Sequence, residues 1–231
     1  MNNSNVQNYY GYVEADPATR NRTLRNTYWL LALSMIPTVL GAGIGVASGF
    51  AQMMSPMVSL IVFMAGAFGF MFAIEKTKNS SAGVPVLLAF TFFMGLMLSR
   101  LIGMVLGFSN GASLIMTAFA GTGAIFLGMA SLSSIIKRDL STMGKWLFIG
   151  AIMLLVAGIA NVFLQSSALM ITLSVLAIGI FSAFILHDLK RVQDGYETNY
   201  ITATLGVYLS LYNVFQSLLS LLGIFGGSRE E

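Results

Sequence analysis

The chain has no cysteine, a single histidine, four prolines and very few charges, with Asp, Glu, Lys and Arg making up 9% of 231 residues. Without cysteine there is no disulfide framework, zinc knuckle or thiol chemistry. One histidine, His187, cannot build an HExxH zinc motif, and at the rim of a span it has no facing serine to activate. Asp188 is the only carboxylate near bilayer depth, so the paired aspartates of intramembrane proteases are missing. Catalysis is therefore not expected, and neither a cofactor nor a bound metal is. Fifteen methionines read as flexible core filler, since metal transport would want histidine or cysteine partners.

The shortage of charge decides the class. Soluble surfaces carry about 25–35% charged residues, far above what this chain offers. Its net charge of +3 is small and its basic residues gather at span ends, which argues against a nucleic-acid partner. What the sequence has in quantity is apolar: 56% of residues, in runs long enough to cross a bilayer, where about 20 residues suffice. The partner they imply is the lipid bilayer.

Seven spans are expected, at Tyr28–Phe50, Pro56–Ile74, Pro85–Gly107, Gly111–Ile136, Met143–Leu164, Leu169–His187 and Tyr200–Phe225. In hydrocarbon each run must satisfy its own backbone, which selects helix. The alternating polarity of a β-barrel is absent. Pro56 and Pro85 stand at helix starts, whereas Pro37 falls inside the first span and should bend it. The fold class is thus all-α integral membrane. Residues 1–27 read as a disordered cytoplasmic tail, 28–225 as the transmembrane domain and 226–231 as a short external tail.

Ten basic residues (Arg20, Arg22, Arg25, Lys76, Lys78, Lys137, Arg138, Lys145, Lys190 and Arg191) fall on one side of this arrangement. Only Arg100 and Arg229 fall on the other. The split places the amino terminus in the cytoplasm and the carboxyl terminus outside. Three short external connections (residues 51–55, 108–110 and 165–168) should fold the first six spans into three antiparallel pairs and leave the seventh alone.

Small residues recur every four positions: Gly95, Ser99, Gly103 and Gly107 in the third span, and Ala120, Ala124 and Gly128 in the fourth. Such spacing lets helix backbones approach closely, with a conformational hinge as the other reading. The seventh span carries a polar stripe, Ala203, Gly206, Ser210, Asn213, Ser217 and Ser220, on one face. Tyr208, Tyr212 and Phe215 fall on another. The stripe suits interhelical hydrogen bonds or a hydrated path. Two ionisable residues sit at membrane depth, where charge is costly and informative. Arg100 lies near the outer end of its span and can snorkel. Asp188 is either a solvated helix-end charge or a carboxylate that gates an ion path.

The carboxyl-terminal residues are more specific. Tyr-Glu-Thr-Asn-Tyr-Ile (Tyr196 to Ile201), Val-Tyr-Leu-Ser-Leu-Tyr-Asn-Val-Phe (Val207 to Phe215) and Leu-Leu-Ser-Leu-Leu-Gly (Leu218 to Gly223) resemble the Bax inhibitor-1 family, in particular its proteobacterial YccA branch. Leu-Arg-Asn-Thr-Tyr (Leu24 to Tyr28) opens the first span as in that branch. The resemblance covers about Leu24 to Gly223. It implies three helix pairs around a central last helix in a bacterial inner membrane, and association with the membrane protease FtsH, as modulator and slow substrate through the cytoplasmic tail, Met1–Asn26. Other members are proton-sensitive calcium leak channels closed by an aspartate pair. Asp188 matches the first aspartate, and alignment puts Ser210 where the second would be, so the acidic-pair gate is incomplete here. Gate or ion-path candidates are then Asp188, Ser210, Asn213 and Arg100. A second departure is Ser99–Arg100, where many relatives have glycine and proline.

Overall fold

The structure is a computed structural model describing residues 16–50 and 53–227. Seven helices follow one another: α1 (Pro17–Ser48), α2 (Pro56–Thr77), α3 (Gly83–Leu106), α4 (Gly111–Ile135), α5 (Ser141–Leu164), α6 (Ser167–Gln193) and α7 (Tyr200–Gly226). All seven are long and apolar enough to cross a membrane, and no strand occurs among the described residues. The chain is an all-α, multi-pass membrane protein.

Most helix ends lie within three residues of the expected ones, and the start of the first helix and the end of the sixth differ by more. The first helix starts at Pro17, not Tyr28, because Asp16 caps it: its carboxylate accepts from the Thr19 amide at 2.6 Å, and proline occupies the first helical position. Segment 17–27, read from the sequence as tail, is therefore helical and docked. Thr23 and Thr27 are buried, and the Thr23 hydroxyl donates to the Thr198 carbonyl at 3.1 Å. The rest of that tail, residues 1–15, lies outside the described residues. The sixth helix continues past His187 to Gln193, and its last turn is held by the ion pair of Lys190 with Asp194 at 2.5 Å.

α7 lies at the centre. It touches α1, α2, α3, α4 and α6, and half of its most apolar stretch is buried, more than in any other helix. α5 and α6 pack as neighbours, as their short connection predicts. α1 departs from the pairing expected of the first two spans and packs most extensively on α3. Glycine is the cause. A Cβ on Gly95 would collide with the Thr38 carbonyl, and one on Gly41 with the Phe92 carbonyl. A Cβ on Gly45 would stand 2.5 Å from Ser99 Oγ. Backbone meets backbone along this seam, the close packing that the spacing of Gly95 and Ser99 foretold. The fourth-span stripe behaves otherwise: Ala120, Ala124 and Gly128 are exposed. The packing face of α4 is instead Gly111, Leu114, Ala118 and Thr122.

Hydrogen bonds gather the connections at two ends. At one end, Arg20 Nη1 reaches the Gln193 carbonyl (3.4 Å). Gln193 Nε2 donates to Ser133 (2.9 Å), and Asn199 Nδ2 to the Lys78 carbonyl (3.2 Å). At the other, Asn110 Nδ2 caps α7 through the Gly226 carbonyl at 2.6 Å. An odd number of helices is what brings these groupings about.

Candidate functional site

The candidate site lies where α6 meets α7 near the basic end of the bundle. His187 and Asp188 are consecutive on α6, and their side chains bond each other, Nδ1 to Oδ1 at 3.2 Å. Each fills a slot that a glycine leaves open on a neighbouring helix. His187 Nε2 stands 2.6 Å from where a Cβ of Gly144 on α5 would be. Asp188 Oδ2 stands 2.8 Å from the corresponding position at Gly206 on α7. The two side chains are 9% and 17% exposed. Asp188 is thus a packed carboxylate within α6, which corrects the reading of it as a solvated helix-end charge. The helix runs on because Lys190, Arg191 and Gln193 extend it beyond the apolar run that marked its end in the sequence.

Ser210 approaches the same glycine by a different route. Its buried hydroxyl donates to the Gly206 carbonyl at 3.1 Å, one turn back along α7. The Asp188 carboxylate and the Ser210 hydroxyl therefore converge on Gly206, one at its Cα and the other at its C=O. Asn213 donates to the Leu209 carbonyl at 2.8 Å, a bond within its own helix. The Thr202 hydroxyl, one turn before Gly206, is buried without a hydrogen-bond partner among the described residues. Polar groups at 202, 206, 210 and 213 thus follow one flank of α7.

Arg100 is elsewhere. Its Nη1 lies 3.4 Å from the Met54 carbonyl and 3.3 Å from Ser59 Oγ, tying the start of α2 to α3 near the opposite end. It belongs to helix packing there and not to the Asp188 site. The string Gly107–Phe108–Ser109–Asn110–Gly111, which has the form GxSxG, occupies the α3–α4 connection at that same far end. His187 cannot serve it.

A second polar row, which the sequence reading set aside as an aromatic face, runs along α7 at Thr204, Tyr208 and Tyr212. Thr204 bonds the Tyr200 carbonyl at 2.7 Å and reaches the Thr27 carbonyl at 3.4 Å. Thr38 reaches the Ser34 carbonyl at 2.8 Å and shares a hydrogen bond with the Tyr208 hydroxyl at 2.9 Å, which also lies 3.4 Å from the Thr91 carbonyl. The Tyr212 hydroxyl reaches the Met94 carbonyl at 3.4 Å. These bonds tie α7 to α1 and α3. Their sequence signal was the spacing of four from Thr204 to Tyr212, which puts three hydroxyls in line on one face.

No group of three or more His, Asp or Glu side chains that could hold a metal ion occurs among the described residues. The geometry offers a wedged carboxylate at a helix–helix contact and a ladder of hydroxyls locking the central helix.

Comparison with known proteins gives this architecture a family. The family model described as "Inhibitor of apoptosis-promoting Bax1" matches residues 20–227. A membrane protein of Vibrio cholerae is 36% identical over 208 residues, covering 90% of this chain and 92% of its own. The "Modulator of FtsH protease YccA" of Escherichia coli K12 is 36% identical over 203 residues, 88% of this chain and 90% of its own. The same identity and coverage hold for the "Inner membrane protein YccA" of a second E. coli strain.

Proposed function

This chain belongs to the Bax inhibitor-1 family, and from that premise we propose that it is a non-enzymatic inner-membrane protein that modulates an FtsH-type protease. The observation that carries this reading is the similarity to YccA across nearly the full length of both chains. It is supported by the absence of any extramembrane domain between the helices, whose connections are all short. That leaves the bundle itself and its basic edge to meet a partner. The basic residues of that edge orient it toward the cytoplasm by charge bias, with the amino terminus inside and the carboxyl terminus in the periplasm. A reporter active only outside the cytoplasm, fused after Glu231, then gives signal; silence there overturns the orientation.

The polar sequence before Asp16 supplies the end that an AAA protease can grip. Deleting residues 2–14, which spares the Asp16 cap, lengthens the half-life of the protein in cells containing FtsH and leaves membrane insertion unchanged. Overproducing the full chain slows turnover of another FtsH membrane substrate in a pulse-chase. Unchanged turnover in both experiments overturns the protease-linked reading.

One observation favours a second reading, a cation leak. Asp188 is wedged against Gly206, one turn along α7 from a Thr202 hydroxyl that is buried with no partner among the described residues, on the flank that carries Ser210 and Asn213. With serine at 210 there is no second carboxylate at that position of α7 to share a proton with Asp188. Replacing Ser210 with Asp introduces that partner and a pH response. Calcium flux into liposomes, wild type against S210D, checks that response, and no flux above empty liposomes removes this reading.

A further inference from the structure

An open groove of about 340 Å³ lies beside α1 and the start of α7, lined by Asn26, Trp29, Leu30, Leu33 and Tyr200. It lies outside the Asp188 site, and nothing in the protease or leak readings uses it. Trp29 is 73% exposed at its edge, yet neighbouring Leu30 is buried, so the indole stands as a wall on the outward face.

The residues on that face change chemistry in order along the helix. Arg22 and Arg25 are exposed and form no ion pair among the described residues. Asn26 follows at one turn from Arg22, Trp29 at two, and then exposed Leu33, Ile36 and Leu40. Spacings of three and four keep all of them on one side of α1. At 1.5 Å per residue, Arg22 stands about 10 Å from Trp29 along the axis, and Leu40 about 16 Å beyond it. Guanidinium, amide, indole and aliphatic side chains thus succeed one another in the order of phosphate, glycerol esters and acyl chain in a phospholipid. Tryptophan prefers the headgroup level, which sets the two arginines at the depth of the phosphates.

We infer that this groove is a binding site for an anionic phospholipid, whose phosphate is held by Arg22 and Arg25 and whose upper acyl chain lies between Trp29, Leu33 and Tyr200. Charge complementarity selects the occupant. A zwitterionic lipid brings its own cation to the same place and gains little from two exposed guanidinia, whereas a net negative headgroup gains roughly fivefold in affinity per basic residue. The inference is independent of the protease reading.

Trp29 reports on its own site. The chain has two tryptophans, Trp29 and Trp146, so W146F leaves Trp29 as its single tryptophan. That protein is reconstituted in phosphatidylcholine containing about a tenth of brominated phosphatidylglycerol or, separately, brominated phosphatidylcholine. The phosphatidylglycerol quenches Trp29 with an apparent affinity roughly fivefold or more above phosphatidylcholine. Adding R22Q and R25Q brings the two lipids to equality without changing helicity. Equal quenching in the parent protein overturns the site, and so does a preference that survives loss of both arginines. Should the arginine variant fail to insert, the parent comparison of the two lipids still decides.

Discussion

α5 and α7 are both long membrane-crossing helices, yet they use their residues in opposite ways. α5 is, with α6, the most apolar of the seven and has no buried residue. α7 is the least apolar and the most buried. In water the order would reverse, because apolar surface drives burial there. In lipid, an aliphatic side chain gains nothing by leaving hydrocarbon, and association rests on close packing and hydrogen bonds. Polarity along a span therefore marks the inside of this protein. Trp146, Phe148 and Phe163 of α5 face outward, while Thr204, Tyr208, Ser210 and Ser217 of α7 are buried.

The largest test of this contrast is truncation of matched aromatic residues. Tyr208 is 1% exposed and Phe148 is 62% exposed. Tyr208→Ala opens a cavity and costs about 3–5 kcal/mol, whereas Phe148→Ala stays within about 0.5 kcal/mol. Reversible unfolding in mixed micelles measures both, and similar losses would break the contrast. A pair of glycines sharpens it. Gly206→Ala places a methyl against the Asp188 carboxylate and costs about 1–3 kcal/mol, while Gly158→Ala on α5 meets nothing within 4 Å and is neutral or slightly stabilising. Smaller still is Tyr208→Phe, which keeps the ring and removes the bond to Thr38, at about 0.6–2 kcal/mol.

The smallest effect is at the helix starts. Asp139, just before α5, accepts from the Ser141 amide at 2.8 Å and from its hydroxyl at 3.0 Å. These bonds, the backbone one foremost, hold its carboxyl below the ordinary value of 3.8. The contribution is therefore complete above that value and lost as pH falls through the lower folded one. α7 starts on Asn199, which accepts from the Ile201 and Thr202 amides and does not titrate. Amide-exchange protection at Ser141 should fall between pH 5 and pH 3 while that at Thr202 holds. Equal change at both amides would contradict the assignment.

The same contrast explains what could be read from the chain beforehand. Seven helices followed from apolar runs, and the α1–α3 seam was foreshadowed by Gly95 and Ser99. Ala120, Ala124 and Gly128 carry the same spacing but are exposed, because a small residue is equally at home against lipid or a helix. Tyr208 and Tyr212 looked like an aromatic face, since nothing local to them names Thr38 or the Met94 carbonyl as partners. The Asp16–Pro17 signal for a helix start was present, and the polar composition around it concealed it. Asp188 stood out in the sequence as the only carboxylate near bilayer depth, but its contact with Gly206 depends on how α6 and α7 meet.

The absence of cysteine makes the decisive measurement clean. Single cysteines carrying a nitroxide, placed at Val207, Ser210 and Val214 on α7 and at Phe148, Ile152 and Val156 on α5, report collision with oxygen dissolved in the bilayer. The account predicts mobile, oxygen-accessible labels on α5 and immobilised, oxygen-shielded labels on α7. Equal oxygen access on the two helices would contradict the central placement of α7, and with it the arrangement that holds Asp188 against Gly206.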